Sequence, residues 1–106
     1  MPNLPRSMVY SYQLLPEART DLNEAVGWYA EKNVSAAQSF LDDYTKAIAR
    51  ITENPFQFPT AKGEVRQARL SRTFPYSIYF AIRGDVALAI AVFHDKRNPK
   101  IWQSRT

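Results

Sequence analysis

The sequence predicts an α+β fold in which one strand, two helices and three further strands follow one another (βααβββ) and a short helical turn closes the chain. Three observations carry that prediction. Apolar residues recur with a helical period through two stretches of the first half, Ala18 to Tyr29 and Ala37 to Ile51. From Val65 onward the period becomes that of a strand, in runs rich in β-branched and aromatic residues. Pro16, Pro55 and Arg83-Gly84-Asp85 mark where runs end, and the two short links, around Lys32 to Val34 and at Arg83-Gly84-Asp85, lay their flanking elements side by side.

The first strand is read over Val9–Leu15 (VYSYQLL) and stops at Pro16, which a helix accepts in its first turn. The first helix carries Ala18, Leu22, Ala25, Val26 and Tyr29 on one stripe, and Glu17, Asp21, Glu24 and Glu31 are expected to form its solvated face. Trp28 falls among those acids, an odd place for so large an apolar side chain. Ser35 and Gln38 spell an S-x-x-Q capping box that opens a second helix, whose stripe is Ala37, Phe40, Leu41, Tyr44, Ala47, Ile48 and Ile51 and which ends at Pro55. A connection of about two to four residues around Lys32 to Val34 makes the pair an antiparallel hairpin. Residues 54–64 (NPFQFPTAKGE) read as a loop pinned to the core by Phe56 and Phe58.

Three strands complete the order, Val65–Ser71, Tyr76–Arg83 and Val86–His94, the last two joined by a tight turn at Arg83-Gly84-Asp85. Directly opposed residues of an antiparallel pair share a face, so parity sets the register. A three-residue turn gathers Tyr76, Ile78, Phe80 and Ile82 with Leu88, Ile90 and Val92 beneath the helices. It leaves Ser77, Tyr79, Ala81 and Arg83 with Ala87, Ala89, Ala91 and Phe93 on an open face, whereas a two-residue turn mixes large and small residues on both. The odd turn is therefore expected, with Ala68 and Leu70 pointing to the core and Arg69 to the open face. In the tail, Asn98 as N-cap and Pro99 as first helical residue start a short helix. No repeat, low-complexity tract or linker divides residues 1–106, which read as one domain.

Composition narrows the chemistry. A chain that is 45% hydrophobic and 13% aromatic is neither disordered nor collagen-like. The lack of Cys removes disulfides, iron–sulfur clusters, thiolate zinc sites and Cys nucleophiles, and a single His removes multi-histidine metal sites. Neither metal nor cofactor is expected. No apolar run nears the roughly 18 residues of a membrane span, and Met1 to Ser7 has no apolar leader core, so a cytoplasmic protein without membrane contact is expected. The net charge of +4 is unevenly spread: residues 61–106 hold nine basic and three acidic side chains, while residues 1–60 hold five basic and seven acidic. An Arg-rich half of that sign points to an anionic partner, nucleic acid or an acidic protein segment, with a merely solvated basic surface as the alternative.

The order and spacing of several short motifs resemble the RelE/ParE superfamily of toxins from bacterial type II toxin–antitoxin modules. They are E-A-x-x-D-L-x-E-A-x-x-W-Y from Glu17 to Tyr29, and F-L-x-x-Y-x-x-A-I-x-x-I from Phe40 to Ile51 followed by Asn54-Pro55. Arg69-Leu70 and Phe74-Pro75-Tyr76 with Ile78-Tyr79-Phe80 follow, and His94-x-x-Arg97-Asn98-Pro99-x-x-Trp102-x-x-Arg105 closes the series. The resemblance implies a four-stranded, mostly antiparallel sheet with the helical hairpin on one face, and a cognate antitoxin that wraps the protein. It also implies one of two activities: cleavage of mRNA in the ribosomal A site, as in RelE-like members, or poisoning of DNA gyrase, as in ParE-like members. The nuclease pattern wants an Arg where this chain has Ser77, and a Tyr or His near the end of the final helix, where Trp102 and Gln103 stand. The long helical hairpin and the closing motif are nearer to ParE-like sequences, so gyrase is the expected target, with ribosome and mRNA as the alternative and an inactive, binding-only member as a second one.

No residue is assigned catalysis on this reading. The residues expected to meet target or antitoxin are Trp28, Arg66, Arg69, Arg72, Tyr79, Arg83, His94, Arg97, Trp102 and Arg105. Several have a structural alternative. His94 can act as a base or phosphate contact, or bond the backbone and pin the tail. Arg69 and Arg97 can clamp phosphates or antitoxin carboxylates, or pair with Asp95 or Glu64. Tyr79 can stack a base or cover the sheet, and Trp102 with Arg105 can touch a target or pack the last turn onto the body.

Overall fold

The computed structural model describes residues 9–106, so the reading of Met1 to Ser7 lies outside the described residues. The chain runs through β1 (Ser11–Leu14), α1 (Pro16–Lys32), α2 (Val34–Glu53), a 3-10 turn (Pro55–Gln57), β2 (Thr60–Lys62), β3 (Val65–Arg69), β4 (Tyr76–Arg83), β5 (Val86–His94) and α3 (Lys100–Gln103). The strands form one sheet in the order β1-β5-β4-β3-β2, antiparallel except for the β1–β5 pair. This is the expected α+β architecture with one strand more. The segment read as a loop contains β2, which turns back on β3 through Gly63 with φ +57°. Of its two aromatic residues Phe58 is buried against Phe80, as expected, whereas Phe56 is 56% exposed and packs edge-on against Tyr10. None of the described helices is long and apolar enough to cross a membrane.

Pro16 opens α1 at its first turn, and a single residue, Asn33, separates α1 from α2. Its extended backbone stops the first helix, and its Oδ1 accepts the N–H groups of Ser35 (2.7 Å) and Ala36 (3.3 Å) to start the second. Asn33 and not Ser35 is therefore the cap. Tyr29 then stacks on Phe40 at 5.2 Å across the hairpin, and Phe74 and Tyr76 close edge-on around Phe40. Phe40, Ala47, Ile51 and Ala18 are fully buried against Ile78, Phe80, Ala87 and Ala89 of the sheet. Tyr12 and Tyr44 join β1 to α2 through their hydroxyls at 2.8 Å.

The β4–β5 hairpin corrects the expected register. Arg83 faces Val86, so the turn is the two residues Gly84-Asp85, with Gly84 at φ +62°. Phe80 faces Ala89 near the turn, while Tyr79 faces Ala91 and Ile78 faces Val92 beyond it, so β5 carries an extra residue, Ile90, in a bulge. Past the bulge the register is that of the expected odd turn. Before it, Ala87 and Ala89 lie beneath the helices, and Ile90 joins Tyr79, Ala81, Ala91 and Phe93 on the other face. Ala68 and Leu70 face the helices as expected. The expected open face is not open at its centre, because Trp102 of α3 is buried upon it. The tail helix starts one residue later than expected, at Lys100 with Pro99 in the cap position, and Asn98 Oδ1 accepts the Lys100 N–H at 3.0 Å.

Gly27 is exposed in the middle of α1, and a Cβ there meets no atom within 4 Å. Gly27→Ala should therefore stabilise the fold by about 0.5–1 kcal/mol, read from the urea midpoint. Burial above all, then its neighbour Tyr44, pushes the Tyr12 hydroxyl far above its ordinary value of 10.0. The folded chain thus holds a proton that the unfolded chain releases. Stability from this source is complete below about pH 10 and falls as pH rises further. Tyr12→Phe should flatten that alkaline loss in denaturant titrations at pH 9 to 11.

Candidate functional site

Strand β1 ends while β5 continues. The last bond between them is from Leu15 N–H to Ala89 C=O at 2.9 Å, and among the described residues no strand lies on this side of β5 from Ile90 onward. An ion pair takes the vacant place. Asp21 of α1 accepts the Val92 N–H at 3.1 Å, and Arg105 donates to the Ile90 C=O at 3.1 Å. The two side chains bind each other through two bonds, Nη1 to Oδ2 at 2.6 Å and Nη2 to Oδ1 at 3.2 Å. Asp21 is 6% exposed, so its expected place on the solvated face is corrected. The signal was present, since Ala18, Asp21 and Ala25 are spaced as one helical stripe and all three are buried.

Beyond this pair a groove of about 390 Å³ opens between α1 and the end of β5. Ala25, Tyr29, Tyr76 and Val92 form its apolar floor, and Trp28, Glu24, His94 and Arg97 its rim. Trp28 is 53% exposed, edge-on to Tyr29 at 5.0 Å, with the Lys32 ammonium 5.0 Å from its ring. The Arg97 guanidinium rests 4.3 Å from the Phe93 ring. His94 packs edge-on to Tyr76, and its Nδ1 accepts the Lys96 N–H at 3.1 Å, pinning the turn after β5. The structure brings together Trp28, His94 and Arg97 of the expected residues.

The remaining expected residues lie elsewhere. On the face away from the helices Trp102 stacks on Tyr79 at 4.2 Å, and both rings are buried, which leaves neither free to stack a base. Ser77, fully buried, accepts from Gln67 Nε2 at 3.0 Å and donates to Asp95 Oδ1 at 2.6 Å, while Arg69 Nη1 donates to Asp95 Oδ2 at 3.2 Å. Nothing about Ser77, Gln67 and Asp95 taken singly in the sequence signalled this network, which needs the register. Burial first, then Asp95, raises the Tyr79 hydroxyl above its ordinary value, with Ser77, Arg69 and Trp102 opposing. Trp102 Nε1 itself is buried and has no hydrogen-bond partner among the described residues. Arg66 donates to the Phe58 C=O at 2.6 Å, Arg83 lies 3.9 Å from Glu64, and Arg72 is exposed near Arg69 and Pro75. Among the described residues no three His, Asp or Glu side chains converge to hold a metal ion.

A helical hairpin packed on one face of a mostly antiparallel sheet is the architecture that the resemblance to the RelE/ParE superfamily implies. The family described as ParE toxin of type II toxin–antitoxin system, parDE, matches residues 12–99, and the chain belongs to it. It is a ParE-like toxin. Among solved structures it is similar to the chromosomal ParDE toxin–antitoxin system from P. aeruginosa, with 20% identity and a TM-score of 0.70 over 83% of this chain and 97% of that one. It is similar also to the RelBE2 toxin–antitoxin complex from Mycobacterium tuberculosis, with 16% identity and a TM-score of 0.54 over 82% of this chain and 92% of that one. Both likenesses are of fold. No curated protein matches by sequence.

Because Asp21 and Arg105 are largely desolvated, Arg105→Ala leaves a buried carboxylate and an unpaired Ile90 carbonyl behind. It should lower stability by about 3 kcal/mol, the low end for breaking a buried pair, in equilibrium denaturation. Replacing both partners with apolar residues should cost less than replacing Arg105 alone.

Proposed function

We propose that this toxin poisons DNA gyrase by binding, without hydrolytic chemistry of its own, and that a cognate antitoxin silences it in the cytoplasm. The observation that carries the reading is the state of the sheet face where a nuclease of this superfamily would work. Ser77 is locked between Gln67 and Asp95, Arg69 is paired with Asp95, and Tyr79 lies beneath Trp102 with its proton held more firmly than usual. Cleavage of RNA by its own 2′-hydroxyl needs a base, an acid and charge stabilisation, each contributing on the order of 10²–10⁴-fold. The arginines offer charge alone. His94, the one imidazole, lies in the groove beside α1, and its Nδ1 is engaged by the backbone. Antitoxin binding is supported by family membership and by the two structural neighbours, one a toxin–antitoxin system and the other a toxin–antitoxin complex.

Purified chain added to gyrase should block supercoiling or trap cleaved DNA, and should leave ribosome-bound mRNA whole. Efficient A-site cleavage refutes the proposal. If His94→Ala abolishes that cleavage, the RelE-like alternative holds with His94 as base, and if cleavage survives, arginine electrostatics suffice. Silence in both assays identifies a binding-only member.

A further inference from the structure

The groove beside α1 contains two backbone groups whose arrangement specifies an occupant. In an antiparallel ladder alternate residues turn both N–H and C=O away from the neighbouring strand. Val92 and His94 are such residues in β5. The Val92 N–H goes to Asp21 and not to β4, the His94 C=O accepts from Arg97 N–H, and the Tyr76 C=O opposite His94 is taken by Leu70 N–H. The other two groups, the Val92 C=O and the His94 N–H, face the edge, and among the described residues no hydrogen bond from another element reaches them. Asp21 reaches the edge at Val92, whereas Ala25, one turn further along α1, is too short to do so and leaves the groove over His94.

These two groups select a direction. An antiparallel strand needs the N–H and C=O of the same residue, and on Val92 and His94 one member of each such pair is already occupied. A parallel strand needs the C=O of one residue and the N–H of the residue two further on, which is what Val92 and His94 offer around Phe93. β1 already runs parallel to β5 and stops short, so the incoming strand prolongs its line. We propose that an extended segment of the cognate antitoxin adds to β5 in parallel at Phe93. One residue of the segment would donate to the Val92 C=O and accept from the His94 N–H, with an apolar side chain beneath Trp28 and an acidic one against Arg97. Edge addition of this kind takes affinity from the main chain and specificity from alternate side chains. The inference rests on the antitoxin reading above and assigns it a site.

The test uses the full ¹⁵N-labelled chain with and without the purified full-length antitoxin encoded beside it. In the complex the His94 amide should exchange with solvent at least about tenfold more slowly, while the Val92 amide, already bonded to Asp21, changes little. Trp28→Ala, at a half-exposed position on the groove rim, should weaken the complex about tenfold. An antitoxin that binds and neutralises while the His94 amide exchanges as in the free chain overturns the site and spares the functional reading. A free chain that self-associates with His94 protected makes a second copy the occupant and also overturns it. An antitoxin that neither binds nor neutralises removes the functional reading and the site together.

Discussion

A strand longer than its neighbour leaves polar backbone exposed at a sheet edge, and here that problem is met by a buried ion pair in place of a further strand. Asp21 and Arg105 stand eighty-four positions apart in sequence and meet at Ile90 and Val92 of β5. Three parts of the molecule depend on the meeting. It fixes the height of α1 along the sheet, it ties down the last turn of the chain, and it holds α3 where Trp102 can cover Tyr79. Either residue alone would be a buried charge beside a buried amide or carbonyl. Together they satisfy each other and the strand.

The bulge at Ile90 is the second constraint, and it explains why the helix-facing side of β5 is built from small residues near the turn. Ala18, Ala47, Ala87 and Ala89 are all fully buried, so helices and sheet approach closely where β1, α1 and α2 crowd over the start of β5. Leu88 and Ile90 in those positions would hold the helices away. After the extra residue the face changes over, and Val92 can pack beneath α1 while Ile90, Ala91 and Phe93 line the side that Trp102 covers. A bulge is thus what lets a two-residue Gly84-Asp85 turn coexist with large residues at Ile78 and Val92 on one face.

Much of the fold was legible because it rests on local rules. Helical period placed α1 and α2, Pro16 and Pro55 bounded them, and strand period placed β3, β4 and β5. What was not legible depended on competition or on distance. Asn33 and Ser35 are equally good caps by type, and it is the extended backbone of Asn33, with its side chain on the Ser35 and Ala36 N–H groups, that makes it the cap. Parity arguments assume an unbroken ladder, so one bulged residue reversed the faces of Leu88 and Ile90 from the true ones. β2 is too short to show a period. At the candidate site, Trp28 was conspicuous because it broke the α1 pattern. Asp21 was hidden because a carboxylate at a core position looks like part of the acidic face until its arginine is found.

That same pairing changes what the positive charge of the second half can do. Arg66, Arg69, Arg83 and Arg105 are engaged with carbonyls or carboxylates of the chain itself, and Arg105 is largely buried. The exposed Arg72 lies in the loop between β3 and β4, and Lys96 and Arg97 lie in the loop after β5. Those two loops are joined by the bond from Asp95 N–H to Pro75 C=O at 2.7 Å, which gathers their cations at one end of the sheet. Long-range attraction of an anionic partner therefore acts at that end, where field adds to encounter rate more than to final affinity. Arg97 belongs to this end and also to the rim of the groove beside α1, so a partner drawn by the basic loops arrives next to the end of β5 and the exposed Trp28.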